Sequence, residues 1–208
     1  MNAFRFIPPC LPATGAALPS GPHWVHEIKF DGWRSQLHKS GKEVRIFSKR
    51  GFDLTGRFPL IAEELASLPQ DQLILDAEIV AEDETGRPNF DALLARRSQA
   101  HIVVWIFDLL AINGLDIRSA TLEQRRAMLA SSFGELPSHF RYSESFDDPV
   151  SLLRVATKFK LEGIVSKRLS SPYRSGHTRD WLKIKTEEWR EANRQRWELF
   201  SKPQAEKR

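Results

Sequence analysis

Cysteine is almost missing from this chain of 208 residues: Cys10 stands alone. One thiol cannot build an internal disulfide framework or a cysteine-based zinc cluster, and its scarcity fits a reducing compartment. Long apolar runs are missing too. No stretch reaches the ~18 residues that mark a membrane-spanning helix, and no charged-then-apolar leader opens the chain. Neither a membrane span nor a signal peptide is therefore expected, and the expected location is cytoplasmic. No internal repeat or low-complexity tract stands out. Net charge is also small, at +4, but it is unevenly spread: residues 154–185 hold nine Lys or Arg against Glu162 and Asp180, a local +7 that leaves −3 on the remainder. A basic surface of this kind suits a phosphate-rich ligand, whether nucleotide, nucleic acid or both. Arg174 and Arg179, in a Ser/Pro/Gly-rich loop, are its better candidates for phosphate contacts, whereas Lys158 and Lys160 read as the solvated face of a helix.

What is present is enough apolar side chain, 41% of residues, for one packed domain with a small appendage. Residues 1–22, carrying Pro8, Pro9, Pro12, Pro19 and Pro22, read as an irregular Pro-rich lead-in. Period-2 patterns predict strands near 24–30, 34–39, 43–48, 73–81, 102–109 and 162–168. Period-3.6 patterns predict helices near 58–67, 89–97, 121–131 and 149–159. Thr121-Leu122-Glu123-Gln124 has the form of a capping box. This mixed order predicts an α+β domain of antiparallel sheets flanked by helices rather than a βαβ alternation. Residues 187–208 predict an amphipathic helix over 187–200, docked through Trp189, Ala192, Arg196 and Trp197, and then a charged tail.

The most informative segment is Glu27-Ile28-Lys29-Phe30-Asp31-Gly32-Trp33-Arg34. An amine with an ordinary pKa near ~10.4 is protonated at neutral pH and must be activated before it can attack. The alternation from His26 to Phe30 puts Glu27, Lys29 and Asp31 on one strand face and Ile28 and Phe30 on the core face. Asp31-Gly32 then breaks the strand in a turn that lets a ligand approach the backbone. The residues alone read equally as a hairpin with exposed charges. Further along, Ile74, Asp76, Glu78 and Val80 share a face of an apolar strand. Two carboxylates there are costly to bury unless paired or metal-bound, which aims Glu78 at a cleft. Phe107, inside the apolar run from Ile102 to Leu110, reads as core, and Asp108 as a structural hydrogen-bond acceptor. Lys183 and Lys185 alternate with Leu182 and Ile184 on one strand face, where two like charges call for an anion between or beside them. An edge strand using lysine against aggregation is the plainer account of one of them.

Six short motifs occur in one order: Lys29-x-Asp31-Gly32-x-Arg34, Ser48-Lys49-Arg50-Gly51, Leu75-Asp76-Ala77-Glu78-Ile79-Val80, Trp105-Ile106-Phe107-Asp108-Leu109-Leu110, Glu162-Gly163-Ile164-Val165-Ser166-Lys167 and Asp180-Trp181-Leu182-Lys183-Ile184-Lys185. Together they resemble the motifs of the covalent nucleotidyltransferases, the superfamily of ATP-dependent DNA ligases, RNA ligases and mRNA-capping enzymes. The wording, with Arg57-Phe58-Pro59 and the stretch from Ser171 to Gly176, is most similar to the ligase domain of bacterial end-joining DNA ligases. The resemblance covers residues 23–186. It implies a nucleotidyltransferase (ATP-grasp-like) domain that uses ATP and Mg2+ and acts on nicked or broken DNA in repair or recombination. It implies Lys29 as the nucleophile that takes up AMP. Glu27, Arg34, Lys49, Glu78, Phe107, Lys183 and Lys185 are implied to hold the nucleotide, with Phe107 against adenine and Glu78 at the ribose. Glu78 and Glu162 are implied at the metal.

Two departures from the family pattern stand out. Lys49 occupies a position where these ligases usually carry an arginine, which forfeits a bidentate fork. Only about 22 residues follow Thr186, too few for the OB-fold barrel into which family ligases continue. The expectation is thus an adenylation domain without an OB-fold domain, working alone or with a protein partner that supplies an OB-fold or end-bridging function. A nucleotide- or DNA-binding remnant, a self-adenylating half-enzyme, and an RNA ligase or capping-type enzyme are the rival readings.

Overall fold

A computed structural model describes residues 4–94 and 101–193. Two sheets organise it. The first has four strands in the order β1 (Cys10–Thr14), β10 (Gly176–Lys185), β9 (Gly163–Arg168) and β2 (Trp24–Lys29). The second runs β4 (Glu43–Ser48), β3 (Trp33–Ser40), β5 (Gln72–Ala81), β6 (Ile102–Ile112) and β7 (Leu115–Asp116), with β8 (Phe140–Tyr142) also on β6. Pairing is antiparallel except for β1 with β10 and β6 with β8. The helices are α1 (Pro59–Ser67), α2 (Phe90–Leu94), α3 (Leu122–Ser132), α4 (Pro149–Lys158) and α5 (Glu187–Ala192).

The period of each strand explains the layering. On β5, Leu73, Leu75, Ala77, Ile79 and Ala81 join one large core cluster with Ile61 and Leu65 of α1, Leu93 of α2 and Leu129 of α3. The alternate residues of β5 point to the other sheet, where Ile74 packs with Val25 and Trp181. Leu152 and Ala156 of α4 cover Ile164 of β9, with Ile28 and Ile184 packed against them. Helices therefore lie outside and the two sheets face one another, as the mixed pattern predicts. Local signals hold as well. Pro59 starts α1 at its first turn, Asp148 accepts from Val150 and Ser151 N–H at the head of α4, and the capping box at Thr121 and Gln124 is complete in both directions.

The lead-in differs from expectation. Residues 1–22 are not wholly irregular, because Cys10–Thr14 forms β1 and pairs in parallel with β10. Its prolines hide it from a pattern reading, but an edge strand bonds on one side only and tolerates a residue without N–H. The register slips between Pro12 and Ala13, where the proline sits. The helix expected over 89–97 is seen as Phe90–Leu94, with the rest outside the described residues. The C-terminal helix is seen as Glu187–Ala192, and Arg196 and Trp197 also lie outside the described residues. Among the described residues no helix is long and apolar enough to cross a membrane.

Candidate active site

A cavity of about 310 Å³ opens between the two sheets, a size suited to a small ligand. Seven of the nine predicted site residues line it: Glu27 and Lys29 from β2, Arg34 from β3, Lys49 just beyond β4, Glu78 from β5, Phe107 from β6 and Lys183 from β10. The other two, Glu162 and Lys185, are tied to them through Lys29. Lys29 Nζ donates to Glu162 Oε2 at 2.7 Å, and Lys185 Nζ lies 2.8 Å from Oε1 of the same carboxylate.

Gly163 makes this bridge geometrically feasible. In register it stands beside both Lys29 on β2 and Lys185 on β10. A Cβ there would sit 2.0 Å from the Ile184 carbonyl oxygen, so only glycine lets the three strands close. Glu162, just before it, then meets both lysines. The carboxylate is 5% exposed, and its own carbonyl accepts from Thr186 N–H at 3.0 Å, which pins the junction. Gly32 has a matching role in the turn after Lys29, since a Cβ would come within 2.3 Å of the Ile79 carbonyl oxygen.

Charge is densely paired across the cavity. Arg34 donates from Nε and Nη2 to the two oxygens of Asp76, at 3.1 and 2.7 Å, and from Nη1 to the Cys10 carbonyl at 2.6 Å. Tyr173 Oη donates to Asp76 at 2.6 Å and accepts from Cys10 N–H at 3.1 Å. Arg34 thus lines the cavity while its fork holds Asp76, and β1 is locked to this pair. Burial pushes the Glu78 carboxyl up to about 7; Lys29 and Arg34 act to lower it, and Glu162 and Asp76 to raise it. Burial followed by neighbouring cations pulls two lysines below their ordinary value: Arg34 and Lys29 act on Lys49, and Lys185, Lys29 and Lys49 act on Lys183. The cation cluster expected of a phosphate site is therefore present, with Lys183 and Lys185 both near Lys29.

At the other end, Glu27 is nearly fully buried and held from three sides. It accepts from Arg126 Nη1 at 2.6 Å, Ser143 Oγ at 2.9 Å and Lys167 Nζ at 2.8 Å. Phe107 departs from a plain core position. β6 carries an extra residue there, since Asp76 pairs with Asp108 and Ala77 with Ile106, and this bulge turns Phe107 toward the cavity. Lys167 Nζ lies 4.6 Å from the Phe107 ring centre and 4.4 Å from that of Trp181. Asp108 accepts from Arg125 Nε and Nη2 at 2.8 Å each in a fully buried pair, as its structural reading predicts.

Residues 15–185 match the family model of the ATP dependent DNA ligase domain. The chain belongs to the ATP-dependent DNA ligase family. It is 38% identical over 172 residues to the multifunctional non-homologous end joining protein LigD of Pseudomonas aeruginosa, covering 80% of this chain and 20% of that protein. It is 34% identical over 191 residues to a probable DNA ligase of Beutenbergia cavernae, covering 85% of this chain and 37% of that one. Among solved structures, a mycobacterial DNA ligase D complexed with ATP and MES superposes with a TM-score of 0.72 at 28% identity, over 85% of this chain and 59% of that one. The chain thus spans a fifth to somewhat over a third of the length of these two curated relatives. The fold is the ligase nucleotidyltransferase domain, α+β as expected, with no separate OB domain evident among the described residues.

Several ligase-domain residues escaped the sequence reading. Lys167 and Trp181 lie inside the motifs and could have been taken from them. Arg126 and Ser143, which hold Glu27, carried no signal because they come to it from 99 and 116 residues away. Among the described residues no group of three or more His, Cys, Asp or Glu could hold a metal by itself. A hard dication that keeps waters and takes phosphate oxygens needs only one or two carboxylates. Glu162, bonded to Lys29, is near enough to Glu78 to act on that carboxyl, and the two fit that need.

Proposed function

We propose that this domain catalyses covalent self-adenylation at Lys29 and passes the AMP to a 5′-phosphate at a nick in DNA, which it then seals. The observation that carries this reading is Lys29 at the cavity, 2.7 Å from a carboxylate that also holds Lys185. Lys29 Nζ forms a bond to the α-phosphorus of ATP as the bond to pyrophosphate breaks, and its proton leaves. Glu162 Oε2 is the acceptor within hydrogen-bond distance. Lys183 and Lys185 offset charge on the phosphates. Phe107, aimed by the bulge, offers its face to adenine, and Glu27, rigid under three donors, lies at the same end of the cavity. The nick's 5′-phosphate oxygen then takes the AMP from Lys29, breaking the P–N bond, and a 3′-hydroxyl displaces AMP to close the strand. Glu78 and Glu162 would hold Mg2+, which when bound neutralises charge on the transferring phosphate.

Lys49, held below its ordinary pKa by burial and then by Arg34 and Lys29, serves as a point charge toward the phosphates. DNA is the macromolecular partner, in repair or recombination, with the cytoplasm as its compartment. End bridging, or an OB-fold supplied by another protein or another part of a longer chain, would complete the grip on DNA. Intact-mass measurement after incubation with ATP and magnesium tests the reading. The expected gain is one AMP, absent in Lys29→Ala and with GTP, and discharged by nicked DNA with sealing. An adduct that nicked DNA cannot discharge would mark a half-enzyme, and no adduct from ATP would mark a binding remnant.

A further inference from the structure

α5 continues directly from the strand that carries Lys183 and Lys185, and its first turn is fixed at both ends. Thr186 caps it, accepting from Trp189 N–H at 3.3 Å, and Thr186 Oγ1 donates to the Leu161 carbonyl at 3.0 Å. Within the helix only Trp189 is partly buried, and its five helical neighbours are exposed. The indole ring covers the Lys185 ammonium, with Nζ 3.7 Å from a ring centre, and indole Nε1–H donates to Asp31 Oδ2 at 3.3 Å. Asp31 lies two residues after Lys29, in the turn that follows the nucleophile. Contacts therefore run from Lys29 through Glu162, Lys185 and Trp189 to Asp31, and the backbone from Asp31 to Lys29 closes the loop.

We propose that Trp189 is a positioning residue for self-adenylation. Its ring holds the Lys185 ammonium against Glu162, and its N–H ties that ring to the turn carrying the nucleophile. Lysine has a long flexible stem, and its ammonium is strongly hydrated. Glu162 restrains it from one side, and an indole face, the strongest aromatic partner for a cation, restrains it from another. Without the ring, Lys185 can swing toward water and leave Glu162 paired with Lys29 alone. The chain would then lose a cation beside the α-phosphate and gain a tighter hold on the nucleophile, both of which slow attack. The inference rests on the adenylation reading above and extends it to a residue outside the six motifs.

The test is single-turnover formation of the AMP adduct with ATP and magnesium, followed by intact mass in wild type, Trp189→Phe and Trp189→Leu. The rate constant, the amplitude and the half-saturating ATP concentration are all recorded. Trp189→Leu should slow the rate constant at saturating ATP by about tenfold, and Trp189→Phe, which keeps a ring face, should recover to within about threefold of wild type. Half-saturating ATP should move by less than about threefold, because the Phe107 end of the cavity is untouched. A folding defect lowers the amplitude and still allows the rate constant of the folded fraction to be read. A Leu variant at the wild-type rate constant, or a Phe variant no faster than Leu, would overturn the proposal. A wild type that forms no adduct at all would instead remove the adenylation reading, and this inference with it.

Discussion

At the scale of the residue, most charges at the cavity are paired, but at Glu78 burial outweighs the neighbouring cations. Glu78 shows the consequence for stability. Its carboxyl rises from the ordinary 4.5 to about 7 in the fold, chiefly through burial. The native state therefore keeps a proton that the unfolded chain has already released, so this group's contribution to stability is present below that window and lost as pH rises through it. In the metal-free protein, the thermal midpoint of wild type should fall more between about pH 5 and pH 7 than that of Glu78→Gln. Parallel curves for the two proteins would show that another group is responsible. Lys29 was picked out by its motif, and Glu78 was legible because a polar residue recurred on one face of an otherwise apolar strand. Phe107 was not, because a run without polar punctuation hides the bulge that reorients it.

Elements bring these residues together, and α3 is the clearest case. One helix supplies Arg125, which closes on buried Asp108, and Arg126, which holds Glu27 in the cavity. Its start depends on the reciprocal bonds between Thr121 and Gln124, at 3.2 and 3.0 Å. Thr121→Ala should lower unfolding free energy by about 1 kcal/mol in urea melts. A change indistinguishable from zero would mean that packing of Leu122 and Leu129 alone sets the helix start. The capping box was visible in four consecutive letters, whereas the targets of Arg125 and Arg126 were invisible, because helix periodicity says which face a residue occupies and nothing about what the face meets. The same holds for β1, where five residues of an edge strand carry little pattern of their own.

For the whole molecule, the proposed grip on DNA falls to the basic stretch over residues 154–185. Contacts to phosphate release counterions, so discharge of the adenylate by nicked DNA should weaken by tenfold or more between roughly 50 and 200 mM salt. Adduct formation at saturating ATP should change by less than about twofold over the same range, since its charges are enclosed. Equal salt dependence in both steps would place the basic surface at the nucleotide rather than at DNA. The sequence by itself determined the types of most elements, the outward placement of the helices and the family, because these follow from periodicity, capping letters and motifs that are local in the chain. Only the tertiary structure decided that Glu162 bridges Lys29 and Lys185, that Arg34 holds Asp76, that three distant donors immobilise Glu27, and that Trp189 lies on Lys185. The first three of those pairings join segments far apart in sequence, and which charges meet is settled by strand register and by the two glycines that let the strands close; Trp189 stands only four residues beyond Lys185, and its bond to distant Asp31 ties its ring to the turn after Lys29.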